Sequence, residues 1–231
     1  MELRAPDPIA AAHNLERIPV RIRALSKAFV TANKEAKRFP DWREYQIQMF
    51  MRYTGLYAAD ISEGHRKGRL DSVAQAARNL MELSIWTQYC KASEENAKRF
   101  FDDTARDVRE MMEVLQKLYT GVNKKPEKKI ESILAAMENT AAKFKIEDYD
   151  EDYTRVSDAA KKVGKRDIHS RIYKVMSKFA HPTALVLNIH DSLPDLIDSF
   201  YEAGATLANA CLAETEKCIR MQYPDLRYQL L

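Results

Sequence analysis

Apolar residues recur along this chain at intervals of three and four, the spacing of one face of an α-helix, and no stretch of useful length alternates with the period of two that a strand requires. Over 18–33, Ile18, Ile22, Leu25 and Phe29 share a face, with Pro19 tolerated near the start. Pro40 and Asp41 open a second helix whose stripe runs Trp42, Tyr45, Met49, Tyr53, Leu56 and Asp60, up to the turn SEGHRKGR. Asp60 ends an apolar stripe, which places it in a buried polar contact. A third helix, capped by Asp71 and running to about Cys90, is apolar around most of its circumference, as a helix enclosed by others must be.

Ser93 caps a fourth helix with Glu94 and Glu95 at the positive end of its dipole. Its stripe, Ala97, Phe101, Thr104, Val108, Met111, Leu115 and Leu118, is a sustained heptad pattern that can be satisfied within a bundle or by a second copy of the chain. A fifth helix carries Ile130, Ile133, Leu134, Met137, Ala141 and Phe144, and 146–166 reads as a loop-rich charged connector. A sixth spans 167–180 and stops at His181-Pro182. Ser192 caps the last, with Pro194 in its first turn and a stripe of Leu193, Ile197, Phe200, Gly204, Leu207, Cys211 and Cys218. The pattern predicts an all-α fold: a single domain over 1–231, a bundle of about six to seven long, antiparallel helices around a central helix at about 71–90.

Composition agrees. Only 6 Gly and 8 Pro in 231 residues, widely separated, leave room for long helices and little for a turn-rich β fold. The net charge of +3 arises from interspersed acids and bases, without the basic stripe of a duplex-binding protein. No apolar run reaches membrane-spanning length and the N-terminal region lacks a secretory core, so no membrane partner is expected. Three cysteines without paired spacing suit core positions in a reducing cytoplasm.

The common catalytic signatures (P-loop, dinucleotide glycines, nucleophile elbow, Cys-x-x-Cys) are missing, and no Glu-x-x-His pair offers a di-iron ligand set. Neither a metal nor a cofactor is called for. What remains is a polar constellation on core-facing positions. Arg78, Glu82 and Tyr89 lie on one face of the central helix; Tyr173, Ser177 and His181, four apart, share a face of another. Enclosed charges need partners, so Arg78 and Glu82 are expected to pair with each other and with Ser177 or His181, locking two helices together. The alternative is a polar pocket with His181 transferring protons and Arg78 clamping an anion. His65, in a polar turn, reads as solvated, and Cys211 and Cys218 as packing.

Arg78-Asn-Leu-Met-Glu82, then Tyr89 and Glu95-Asn-Ala-Lys-Arg-Phe100, and later Tyr173-Lys-Val-Met-Ser177-Lys-Phe-Ala-His181-Pro182 resemble the two signatures of a prokaryotic helical domain family of unknown function. The resemblance covers about 45–190 and includes Asp60 and the GRLDSVAQAARN entry to the central helix. That family is similar in outline to the HEPN helical bundles, which implies a metal-independent ribonuclease or toxin component acting as a dimer. The HEPN hallmark, an Arg followed after four to six residues by His, is not matched: Arg171 and His181 have nine residues between them, so the cation would have to come from Arg78 on another helix.

Three functional expectations follow. The first is binding or assembly by a helical bundle whose polar cluster is chiefly structural, with partners unspecified and self-association through the long helices open. The second is a phosphodiester-directed enzyme acting on RNA, with His181 as general acid/base, Arg78 stabilising phosphate charge and Glu82 orienting one of them. The third is a small-ligand binder whose pocket is lined by Tyr89 and Tyr173.

Overall fold

The computed structural model describes residues 7–36, 41–119, 154–181 and 194–222, with isolated helical positions between 128 and 142. Among these it contains eight helices and no strand: α1 (Pro8–Glu16), α2 (Ile18–Ala36), α3 (Trp42–Arg66), α4 (Leu70–Ala92), α5 (Glu94–Tyr119), α6 (Val156–Lys162), α7 (Arg166–Ala180) and α8 (Pro194–Gln222). Together they form the helical bundle that the periodicity predicts. Two helices exceed the expectation. α1 is short and lies in a segment with little periodic signal. α6 falls within the stretch read as a charged connector, yet buries Ala159 and Ala160. The predicted fifth helix, over 130–144, lies mostly outside the described residues, as do Leu193 and its cap Ser192.

Local chemistry sets most boundaries. Asp7 Oδ1 accepts from the Ala10 amide at 2.9 Å, Asp41 Oδ1 from Glu44 at 2.9 Å and Ser93 Oγ from Asn96 at 3.0 Å, each satisfying an amide that the first helical turn leaves open. α4 departs from its expected start. It begins at Leu70, and Asp71 sits in the first turn pairing with Arg69 at 2.7 Å instead of capping. The reversal from α3 to α4 needs Gly68 at φ +65°, which lets the Arg69 amide reach back to the Gly64 carbonyl at 2.8 Å. α7 stops at His181, whose extended backbone (φ −123°, ψ 154°) is what a following proline demands.

α4 is the centre of the bundle. Val73, Ala74, Ala77 and Leu80 are fully buried, and α3, α5, α6, α7 and α8 all pack on it. α8 closes one side. Cys211 Sγ donates to the Leu80 carbonyl, Lys91 pairs with Glu214, and Arg21 of α2 bridges Asn209 at 2.5 Å and Glu216 at 2.8 Å. Gly204 is where α8 comes closest: a β-carbon there would stand 2.1 Å from Ile61 Cδ1 and 3.5 Å from Ala77 Cβ.

α3 turns differently from its predicted stripe. Its buried face is Ile47, Phe50, Met51, Thr54, Ala58 and Ile61, whereas Tyr45, Tyr53 and Leu56 are 36%, 47% and 50% exposed. Asp60, expected in a buried contact, is exposed. Among the described side chains of the α5 heptad stripe, burial is seen at its start. Ala97 is in the core and Phe101 stacks on Trp42 at 4.6 Å between ring centres, but Thr104 and Met111 are exposed. The side chains of Val108, Leu115 and Leu118 lie outside the described residues.

Candidate functional site

α4 and α7 run antiparallel, so the face of α4 carrying Arg78 and Glu82 meets the face of α7 carrying Tyr173 and Ser177. Arg78 is the hub. Its Nε donates to Glu82 Oε1 at 3.2 Å, one terminal nitrogen donates to the Tyr173 hydroxyl at 3.0 Å, and the other lies 3.4 Å from His181 Nε2. The guanidinium carbon also stands 4.5 Å from the centre of the Tyr173 ring, close enough for a cation–π contact. Since a guanidinium only donates, the His181 contact is a hydrogen bond when Nε2 carries the lone pair. Arg78, Glu82 and His181 are thus brought together across two helices, and Tyr173, which was not expected as a partner of Arg78, joins them. Ser177 is not part of that network: its Oγ is buried without a hydrogen-bond partner among the described residues.

The cluster is not sealed in the core. The Arg78 and Glu82 side chains are 17% and 26% exposed, and His181 is exposed at the end of α7. The seam runs inward from that rim, from His181 past Arg78 and Tyr173 to a residue that the sequence reading passed over. His169 is 8% exposed, its ring centre lies 5.4 Å from that of Tyr173, and its Nε2 has no partner among the described residues. Burial holds His169 below its ordinary pKa; the Glu82 carboxylate pulls the other way, and the Arg78 cation adds to the depression. The signal was present, since 169, 173, 177 and 181 form one continuous series of fours. Tyr57 of α3 was also missed. Its hydroxyl is pushed up in pKa first by burial, then by Tyr53, Asp60 and Glu82, which sets it on the α3 side of the same carboxylate.

Tyr89 goes elsewhere. It shares the Arg78 face of α4 but lies further along, buried at 1% exposure, with Lys162 Nζ 5.3 Å from its ring centre. It lines a separate polar cleft of about 330 Å³ with Glu95, Asn96, Arg99, Thr154, Asp158 and Lys162. Tyr173 is not among the residues that line it. His65 also departs from its reading as a solvated turn residue: it stacks on Tyr201 with ring centres 4.0 Å apart and bonds Asp198 at 2.6 Å, joining α3 to α8.

Among the described residues no group of His, Cys, Asp or Glu side chains is arranged to hold a metal ion. No described helix is long and apolar enough to cross a membrane. What the seam offers chemically is a half-buried cation, a carboxylate held against it, a phenol and two imidazoles, one at the rim and one inside.

Comparison with curated proteins and with solved structures finds no match. A family model does match, over residues 50–195, a span that includes Arg78, Glu82, Tyr89, His169, Tyr173, Ser177 and His181. Because that match covers well over half of the chain, and encloses both of the signatures on which the resemblance rests, the protein belongs to DUF5677, a family of unknown function.

Proposed function

We propose that the protein acts by binding or assembly, with Arg78, Glu82, Tyr173 and His181 forming a clasp that fixes α7 on α4. The observation that carries this reading is the engagement of Arg78. All three guanidinium nitrogens face partners within the chain, and its charge is offset by Glu82. Removing the guanidinium would leave a partly buried carboxylate and a phenol without their donor, which typically costs about 2–3 kcal/mol. Arg78→Ala is expected to lose that much in urea unfolding. Arg78→Lys should lose most of it, because an ammonium cannot span the fork between Tyr173 and His181. A loss below about 0.5 kcal/mol for Arg78→Ala, the range of ordinary surface substitutions, would refute the clasp. Burial of the free thiols Cys90, Cys211 and Cys218 supports a reducing, cytoplasmic setting for this role.

A second reading has a specific observation in its favour: His181 is exposed and adjacent to Arg78, so a substrate phosphate could reach both. In it the protein is a metal-independent, HEPN-like ribonuclease or toxin or defence component. His181 serves as general acid/base, Arg78 stabilises charge on the phosphate and Glu82 orients Arg78. Incubating wild type and His181→Ala with single-stranded RNA distinguishes the two. Cleavage by wild type that disappears in a variant of unchanged stability establishes the enzyme. Absence of cleavage, with Arg78→Ala destabilised, leaves the clasp.

A further inference from the structure

We propose that the polar cleft where α4, α5 and α6 meet binds a small zwitterion, an α-amino acid, at a site separate from the Arg78 clasp. The cleft has a volume of about 330 Å³, at the small end for a ligand site, and the buried Tyr89 forms part of its wall. Two helices bring charge to it in the same way. α5 supplies Glu95 and Arg99, and α6 supplies Asp158 and Lys162, each an acid followed four residues later by a base. A pair so ordered can close along its own helix, as Glu63–Lys67 does at 2.8 Å. Here neither closes. Arg99 gives its Nε to the Thr154 hydroxyl at 3.3 Å, and the Lys162 ammonium stands 5.3 Å from the centre of the Tyr89 ring. Glu95, Asp158 and Lys162 form no ion pair among the described residues. A polar groove of about 300 Å³ at the α3–α4 turn makes the contrast. There Glu63 is held by Arg66 and Lys67, and Arg69 by Asp71, so its charges are answered within the chain.

Part of the cleft is fixed before anything enters it. Asn96 is pinned twice: its backbone amide donates to Ser93 Oγ at 3.0 Å, and its side-chain Nδ2 donates to the Tyr89 carbonyl at 3.0 Å. That leaves Asn96 Oδ1 as an acceptor whose position is already set. The mixture of signs then selects the ligand. A simple anion is repelled by the Glu95 and Asp158 carboxylates, and a simple cation by Lys162 and the Arg99 guanidinium. A molecule carrying both signs gains on both sides. Its carboxylate is assigned to Lys162, and its ammonium to Glu95 and Asn96 Oδ1. Because Glu95 and Lys162 are exposed, the affinity is expected to be modest, with a Kd of about 0.1–1 mM.

NMR chemical-shift titration with the common free L-amino acids is expected to find at least one that binds with a Kd of about 1 mM or tighter. Its N-acetyl derivative, which lacks the ammonium, and its carboxamide, which lacks the carboxylate, should each bind about tenfold more weakly. Two variants assign the contacts. Lys162→Met keeps the aliphatic cover on Tyr89, and Glu95→Gln keeps the side-chain volume; both positions are exposed, so helical content should not change. Each variant should weaken the amino acid about tenfold. Lys162→Met should weaken the carboxamide no further, and Glu95→Gln should weaken the N-acetyl derivative no further. A panel in which no amino acid binds overturns the proposal. So does binding that both variants leave unchanged, or a derivative that binds as well as its parent.

Discussion

Gly204 shows how much one side chain decides. At the crossing of α8 with α3 and α4 the missing β-carbon is what admits Ile61, which is fully buried, in an interior packed as closely as protein cores are. Gly204→Ala is expected to destabilise the protein by about 1–3 kcal/mol through overpacking, despite the gain in helix propensity. Ile61→Val in the same chain should return part of the loss; a double variant no more stable than Gly204→Ala in urea unfolding would place the strain elsewhere. His169 acts through protonation. Because burial lowers its pKa in the fold from the ordinary 6.5, the unfolded chain takes up a proton first as the pH falls. Its effect is therefore nil well above pH 6.5, and stability is lost as the pH drops from there toward the depressed folded value. Urea unfolding from about pH 7 to about pH 5 should show a shallower decline for His169→Gln than for the wild type. Equal slopes would mean that the imidazole is not shielded from solvent.

At the level of helices, legibility depended on how one-sided each pattern is. α4 reads correctly from the sequence because nearly every face is apolar, which leaves only the central position open to it. α7 reads correctly at its end, where His181-Pro182 enforces the stop. α3 misleads because it has two apolar stripes. Periodicity shows that Tyr45, Met49, Tyr53 and Leu56 share a face, but the companion series through Ile47, Phe50, Thr54, Ala58 and Ile61 is equally helical, and nothing in the spacing says which one faces inward. The stripe with more aromatic surface faces out. The polar cluster around Arg78 was legible for the same reason as α4: series of fours on two helices carry polar groups at depths where apolar ones are the rule. Its wiring was not. Tyr173 is bonded and Ser177, expected as a partner alongside His181, is not, because the reach of Arg78 along α7 depends on the stagger of the two helices, which only tertiary packing sets.

On the scale of the whole molecule, the core is assembled from segments far apart in the chain. α1 reaches α8 through the Asp7 backbone amide, which donates to Glu202, α2 reaches it through Arg21–Glu216, and α8 reaches α4 through Lys91–Glu214. These pairs are partly exposed and individually weak; the burial of α4 beneath α8 and α3 is what couples the ends of the sequence. The three cysteines record that coupling. Cys90 lies near the end of α4, and Cys211 and Cys218 lie on the face of α8 turned into the core. Burial pushes the last two thiols up to about 12 in pKa, so in the native state they are both shielded and in the unreactive protonated form. They serve as three clocks placed at different stations of one core. Labelled with a thiol reagent under native conditions, each reacts only as fast as its surroundings open. Common rates for all three would mark the bundle as a single cooperative unit, and a faster Cys218 would time the release of the end of α8 ahead of the rest.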